Sequence, residues 1–361
     1  MKNLLIKTIK PTVFFIRKEG RLFEGVDITI ENPHRKIRVN LMVRIGSQRE
    51  EIDLGLIGRG ENTYRIYVPD IHRRVKVEFL LLVNGEIQDR KSMLWEPQKH
   101  WRVYLIHYSH HDLGYTDLPS NVLNEYDSFY DDILRFCDET EKFPEEAKFR
   151  YLVEQSWSIV HFIENRPKRI VDKLLKYIKE GRIEVTALYG NLITEVCGHE
   201  ELIRALYPSF KLKRKYNLPI YSAEHNDVPG VSWGLAKVLA NSGIKYFSPG
   251  LPYWYFGKDN VHPFWDEEKV INLKIPGAFI WKAQDDKEVL FWYDLHGEEL
   301  YLWSYNQVLN DLSDKLKLLE KYDYPFSVVS YTIRGGERDN SPPSINSSHI
   351  VKEWNEKCCC F

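Results

Sequence analysis

Cysteine is scarce in this sequence, and the five cysteines are not spaced as metal ligands are. Cys137 and Cys197 stand alone, while Cys358, Cys359 and Cys360 are adjacent near the last position. This spacing fits neither a disulfide framework nor a tetrahedral zinc site made of cysteines. We therefore expect a protein of the reducing cytoplasm.

Long apolar runs and an excess of one charge are also missing. Lys7 interrupts the apolar residues at the N-terminus before an export signal could form. No apolar stretch reaches the roughly 20 residues that a membrane helix needs. The 50 basic and 52 acidic residues leave a net charge of −2, which does not favour nucleic acid as a partner. These absences predict a soluble protein with neither membrane nor nucleic acid among its partners.

Residues 1–97 show the pattern of an antiparallel β-sandwich. Short β-branched or aromatic runs alternate there with turn signals such as Asn84-Gly85. The predicted strands are Thr12–Ile16, Val26–Ile30, Ile37–Ile45, Tyr64–Val68 and Val75–Val83. No cluster of histidine, cysteine or carboxylate side chains occurs in this region, so we interpret it as an accessory domain for packing or carbohydrate binding.

Residues 98–361 have a different rhythm, in which strands alternate with helical stretches of about 10–20 residues. This alternation is typical of a parallel sheet with crossover helices. The predicted strands are Arg102–Tyr108, Arg150–Glu154, Ile183–Leu188, Ile220–Glu224, Lys245–Ser248, Val289–Tyr293 and Ser327–Tyr331. The predicted helices are Val122–Cys137, Lys168–Lys179, Glu200–Tyr216, Ser232–Ser242 and Val308–Tyr322. A helix-like pattern around Trp354 stops at Cys358, so we expect this α/β domain to be incomplete at its C-terminus, with a genuine short tail as the alternative.

A first polar cluster follows the strand predicted at Arg102–Tyr108. In parallel α/β folds, functional residues collect at the carboxyl ends of strands. Residues two apart on extended backbone point to one side, so His110 and Asp112 can converge while His111 points away. Imidazole nitrogen and carboxylate oxygen suit zinc. Taken alone, this segment also fits a surface loop with fortuitous histidines.

A second polar cluster runs from Glu224 to Asp227, at the end of another predicted strand. Asn226 and Asp227 are good helix N-caps, so an ordinary turn before the next helix is one interpretation. The other is that Asp227 supplies a third metal ligand beside His110 and Asp112.

The two clusters together carry a resemblance to a known family. His110-His111-Asp112-Leu113-Gly114-Tyr115 and Asp227-Val228-Pro229-Gly230 resemble the signatures of glycoside hydrolase family 38, the α-mannosidases. Pro276–Trp281, followed by Val289–Tyr293, is similar to that family's segment before a late barrel strand. The resemblance implies a distorted seven-stranded (β/α) barrel with one zinc ion, Zn²⁺, held by His110, Asp112 and Asp227. It also implies that Asp227 is the nucleophile of a retaining glycosidase and that the metal grips two sugar hydroxyls.

The resemblance further implies a general acid from the loop after the last predicted strand. Asp339 matches the family's Gly-Asp-Asp-like loop best, although Asn340 stands in place of the second acid and Glu337 is an alternative. A solvated loop without a catalytic role is the other interpretation of this segment. The residues we expect to bind an oligosaccharide or glycoside substrate come from several loops and include aromatic rings that can stack on sugars. They are Tyr115, His199, Trp254, Trp265 and Asn340.

The sequence departs from the family in three places. The family's fourth zinc ligand is a histidine further downstream than this chain extends, and His225 and His296 are substitutes that stand in no matching motif. Tyr115 replaces the tryptophan of better-known mannosidases, so the sugar is left open. The helical bundle and β-domain that complete these enzymes have no counterpart in this sequence. We therefore expect the fragment to be weakly active or inactive alone. The full-length protein could form a homo-oligomer.

Two other functions are compatible with the sequence. A metal-dependent polysaccharide deacetylase is the runner-up within catalysis, because its barrel also binds zinc through histidine and aspartate. A non-catalytic carbohydrate-binding protein would use the N-terminal sandwich as its working part.

Overall fold

The computed structural model describes the chain over nine ranges of residues. These are 4–110, 112–228, 231–252, 277–292, 294–296, 300–301, 304–321, 323–336 and 340–357. The chain divides into two compact units, the first centred on Met1–Arg102 and the second on Val103–Leu312 and Leu318–Glu353. None of the described helices has the length and apolarity of a membrane span.

The first unit consists of two antiparallel sheets. Its strands are β1 (Leu5–Lys18), β2 (Arg21–Asn32), β3 (Ile37–Ile45), β4 (Gln48–Ile57), β5 (Gly60–Pro69), β6 (Val75–Val83) and β7 (Glu86–Trp95). One sheet has the order β1-β2-β5 and the other β4-β3-β6-β7. Alternate residues of both sheets, such as Ile28 and Leu41, are buried in a single shared core. This packing agrees with the predicted sandwich, although the prediction missed β4 and β7, whose residues are mostly polar.

The second unit contains most of the remaining strands and helices. The strands are β8 (Arg102–His107), β9 (Tyr151–Val153), β10 (Ile183–Val185), β11 (Ser222–Asn226), β12 (Tyr246–Pro252), β13 (Ala278–Lys282), β14 (Glu288–Trp292), β15 (Asp294–His296), β16 (Leu300–Tyr301) and β17 (Val328–Arg334). The helices are α1 (Pro119–Glu139), α2 (Ser156–Asn165), α3 (Lys168–Lys179), α4 (His199–Arg204), α5 (Tyr207–Tyr216), α6 (Trp233–Asn241), α7 (Tyr305–Lys321) and α8 (Asn346–Lys357). The unit is therefore a mixed α/β structure.

Parallel pairing dominates the strands that carry the polar clusters. β9 pairs with β10, β11 with β12, and β12 with β14, each time in parallel. The amide of Ala187 donates to the carbonyl of Ser222 and so joins the end of β10 to β11. β16, β17 and β8 form a separate run. Among the described residues these two runs do not close into a ring.

Side chains from seven strands nevertheless line one cavity of about 320 Å³. The strands are β8, β9, β10, β11, β12, β14 and β17, which contribute residues such as Ile106, Leu152, Glu224, Leu290 and Ser330.

Helix prediction was accurate where apolar spacing and end signals agree. α3 has the predicted bounds because Val171, Leu174, Leu175 and Ile178 form one buried face. Gly181 follows it with a φ of +71°, the left-handed conformation that ends many helices.

The single helix predicted over Glu200–Tyr216 is wrong. The structure has two helices there, because Pro208 lies in the first turn of α5. Proline has no amide hydrogen and clashes with the carbonyl four residues earlier, so a helix cannot run through it unbroken. α2 was missed altogether.

Candidate metal centre

Three side chains from two strand ends meet in the second unit. His110 and Asp112 follow β8, and Asp227 follows β11. Nε2 of His110 lies 3.6 Å from Oδ1 of Asp112 and 3.6 Å from Oδ2 of Asp227. One ligand atom from each residue lies within 4.8 Å of the others.

These separations are those of metal ligands rather than of hydrogen bonds. A hydrogen bond between nitrogen and oxygen spans about 2.7–3.2 Å. Two atoms that each bind zinc at about 2.1 Å in tetrahedral geometry lie about 3.4 Å apart. The donor set of one imidazole and two carboxylates is also one that zinc accepts. The residues present therefore fit a zinc ion.

Protein contacts hold His110 from two sides. Its Nδ1 lies 2.9 Å from Oε1 of Glu154, at the end of β9, and its carbonyl accepts a hydrogen bond of 2.6 Å from the hydroxyl of Tyr126 in α1. Nδ2 of Asn191 donates to the same Oε1 of Glu154 at 3.1 Å. Oδ1 of Asn191 accepts from the amide of Asn226 at 2.9 Å. One polar network thus joins the ends of β8, β9 and β11.

Asp112 is fixed by a residue far along the chain. Its amide donates to Oδ1 of Asn340 at 2.9 Å. Nδ2 of Asn340 donates to the hydroxyl of Thr116 at 3.1 Å, so one amide side chain bridges Asp112 and Thr116 in the loop after β8. This contact defines the position of the Asp112 backbone.

Asp227 adopts a backbone conformation that is uncommon for a residue with a side chain. Its φ is +53°, which turns the chain sharply at the end of β11. Its amide donates to the carbonyl of Gly250 in β12 at 2.9 Å. The carboxylate remains partly exposed, whereas the ring of His110 is buried. The site therefore has a closed side at the histidine and an accessible side at the two aspartates.

The electrostatic environment of the site favours a cation. Burial by itself lowers the pKa of His110, but the neighbouring carboxylates, Glu154 foremost and then Asp112 and Asp227, raise this pKa well above the usual value of histidine. Three carboxylates around one imidazole create a strong negative potential, which a divalent ion would neutralise.

The glycosyl hydrolases family 38 N-terminal domain matches residues 100–359, which include every residue of this site. The chain belongs to this family.

Two solved structures are similar to this chain at low sequence identity. An alpha-mannosidase from Enterococcus faecalis V583 is 13% identical over 70% of this chain and 27% of its own, with a TM-score of 0.51. A second family 38 protein from Enterococcus faecalis is 13% identical over 71% of this chain and 25% of its own, with a TM-score of 0.47. The chain spans about a quarter of the length of these proteins. None of the curated proteins is significantly similar to it.

The other site residues predicted from the sequence lie at different places. Asn340 contacts the metal centre as described above, whereas Tyr115 is highly exposed in the loop after Asp112. His199 is exposed at the start of α4, with its ring beside Gly234 of α6. The remaining predictions fall outside the described residues: Trp254, Trp265, Glu337 and Asp339.

His225, one of the two substitutes for the family's fourth ligand, does not join the centre. His225 is buried, and its ring packs edge-on against Phe247, with centroids 5.9 Å apart. Burial lowers the pKa of His225 to about 4, so the ring is neutral. The side chain of His296 lies outside the part that the structure describes.

The residues that sequence analysis missed are those that support His110. Glu154 was predicted only as the last residue of a strand, and Asn191 and Tyr126 were not singled out. One signal was present, because a glutamate at the carboxyl end of a buried strand lies at the same edge as His110 and Asp227.

Proposed function

We propose that this chain is the zinc-binding catalytic part of a retaining glycosidase that hydrolyses α-mannosides or related sugars. The observation that carries the proposal is the convergence of His110, Asp112 and Asp227 at the spacing of metal ligands. Membership of family 38 supports the reaction class. Had Asp227 been about 8 Å from both other residues, a shared ion would have been excluded.

We further propose that the second unit is a distorted seven-stranded (β/α) barrel. The cavity lined by residues of seven strands supports it, as does the parallel pairing of β9 with β10 and of β11 with β12. In such a barrel the metal centre lies at the carboxyl ends of the strands, where active sites of barrels are found.

Asp227 is the proposed nucleophile. One carboxylate oxygen attacks the anomeric carbon while the bond from that carbon to the leaving oxygen breaks, and an acid protonates the leaving oxygen. Water then attacks the same carbon and passes a proton back to that acid, which releases the sugar and frees Asp227. The partly exposed carboxylate of Asp227 and its fixed backbone suit this role. Zinc would orient sugar hydroxyls and compensate negative charge.

Asp339 is the proposed general acid, with Glu337 as the alternative. Support comes from the covalent neighbour of Asp339, Asn340, whose amide side chain contacts the backbone of Asp112.

The proposed substrate contacts come from the loops around the centre. They are Tyr115, His199, Trp254, Trp265 and Asn340. Oδ1 and Nδ2 of Asn340 each make one hydrogen bond to the protein. A contact with the sugar would therefore use the second lone pair of Oδ1 or the second hydrogen of Nδ2. A reducing cytoplasm remains the proposed location.

Metal analysis joined to hydrolysis tests the proposal. We expect about one zinc per chain, and a large loss of zinc in His110→Ala. The matched control is His161→Ala, because His161 also pairs with a carboxylate, that of Asp127, but outside the centre. The control should keep its zinc.

The reaction is tested on aryl glycosides with the chain in its full-length protein. We expect cleavage of an α-mannoside, with the α-anomer as the first product seen by NMR. Release of the β-anomer would remove Asp227 from the nucleophile role. Acetate released from an acetylated sugar would favour a deacetylase, and sugar binding without hydrolysis would favour a carbohydrate-binding fragment.

A further inference from the structure

Glu154 is a fully buried carboxylate that the proposed reaction does not use. It lies directly after β9 and has no exposed surface. Burying a carboxylate is costly unless hydrogen bonds compensate the loss of water. Here Oε1 of Glu154 accepts from two sides, from Nδ1 of His110 at 2.9 Å and from Nδ2 of Asn191 at 3.1 Å.

The two nitrogens of His110 have different surroundings. Nδ1 faces Glu154, while Nε2 faces Asp112 and Asp227 at 3.6 Å. A carboxylate that accepts from Nδ1 keeps a proton on that nitrogen and leaves the lone pair on Nε2. Histidine ligands of metals are commonly oriented in this way, and the partner increases their basicity.

We propose that Glu154 is a positioning residue, which holds His110 with the Nε2 lone pair directed at the metal. This inference rests on the proposed zinc site. Asn191 fixes Glu154 in turn, and through the amide of Asn226 it also fixes the strand end that carries Asp227. The same network therefore sets the distance between two ligands on separate strands.

A second histidine–carboxylate pair in the same unit differs in the features that matter. Nδ1 of His161 lies 3.3 Å from Oδ1 of Asp127, and the ring of His161 is partly exposed. This pair serves as an internal reference, because it shows how much a histidine–carboxylate pair outside the metal centre affects zinc affinity.

The test compares zinc affinity in Glu154→Gln, Glu154→Leu and the control Asp127→Asn, by competition with a chromophoric chelator. Glutamine keeps the shape and an accepting oxygen but removes the charge, so we expect zinc affinity to fall about tenfold. Leucine also removes the hydrogen bond, so we expect a fall of about 100-fold. Asp127→Asn should bind zinc like the wild type. The absorption bands of bound Co²⁺ should shift in Glu154→Gln, because the orientation of one ligand changes.

The outcomes separate this inference from the proposed function. A wild-type chain that binds no zinc overturns both. Zinc binding by the wild type that both Glu154 variants retain overturns the role of Glu154 alone. If Glu154→Leu does not fold, the zinc affinity of Glu154→Gln alone decides whether Glu154 has this role. The melting temperature of the metal-free protein provides a further check. If zinc affinity in Glu154→Gln falls only in proportion to a lower melting temperature, Glu154 is a general stabilising residue and the assignment is overturned.

Discussion

His107 and His110 are three residues apart, and their surroundings give them opposite acid–base properties. Both rings are buried. His110 has carboxylates on both nitrogens, which raise its pKa. Nε2 of His107 instead accepts a hydrogen bond of 2.8 Å from the amide of Ser344, and burial lowers the pKa of His107 to about 4. Residue type and position in the sequence do not distinguish the two histidines, whereas their partners do.

The low pKa of His107 predicts a loss of stability in acid. In the unfolded chain this ring titrates near 6.5, so between pH 6.5 and about 4 the unfolded state binds a proton that the folded state does not. The stabilisation is therefore complete above pH 6.5 and is lost as the pH falls toward 4. Glutamine at position 107 does not titrate and can still accept from Ser344. We expect the free energy of unfolding of the wild type to fall about 2 kcal/mol more than that of His107→Gln between pH 8 and pH 5.

Urea unfolding of both proteins at several pH values measures this difference. Each protein is compared with itself, so any constant cost of the substitution cancels. Parallel stability curves for wild type and His107→Gln would show that the ring is not held neutral.

At the scale of elements, the end of β11 depends on a close approach to β12. Asn226 and Gly250 are direct partners in the parallel ladder. A Cβ atom at position 250 would lie 1.9 Å from Oδ1 of Asn226, so the buried Asn226 side chain occupies the space that glycine leaves. Asn226 precedes Asp227 and donates its amide to Asn191. The absence of a side chain at Gly250 therefore supports the metal centre.

We expect Gly250→Ala to damage the site. The added methyl group must displace Asn226 or separate the strands, at a cost of about 1–3 kcal/mol in the free energy of unfolding. Zinc affinity should fall because Asp227 moves with its neighbour. The control is Gly190→Ala, where a Cβ atom would meet nothing within 4 Å. Thermal melts and zinc titration measure both effects, and equal results for the two variants would refute the packing argument.

Element prediction succeeded where one local signal decides the structure. The strand predicted at Ile220–Glu224 is observed at Ser222–Asn226, and α3 is observed as predicted. The contact of the Asp227 amide with Gly250 and the contacts of Glu154 could not be predicted, because both depend on residues that are distant in sequence. Asn340 was predicted to bind the sugar from its place beside Asp339, while its bonds to Asp112 and Thr116 required coordinates.

At the scale of the whole molecule, each of the two compact units has a large buried core among the described residues. Phe79 of β6 is fully buried in the core of the two antiparallel sheets. Leu174 of α3 is fully buried in the large core of the second unit. Each core is built from its own set of elements, so each should resist unfolding with its own free energy.

Two truncations test whether the cores unfold independently. Phe79→Ala should cost about 3–5 kcal/mol and Leu174→Ala about 2–5 kcal/mol, because each leaves a cavity. In calorimetry of the whole chain we expect two transitions, of which Phe79→Ala lowers only one and Leu174→Ala only the other. A common shift of both transitions would show a single cooperative unit.

The network around His110 also has a consequence for the order of folding events. Its hydrogen bonds join residues that are 44, 37, 35 and 228 positions apart. Contacts of such long sequence separation form slowly, because the intervening chain must first lose its freedom. The metal centre is thus assembled only when strands from the beginning and the end of the second unit have met. Zinc uptake during refolding should therefore lag behind helix formation, and its rate should report the last step of assembly.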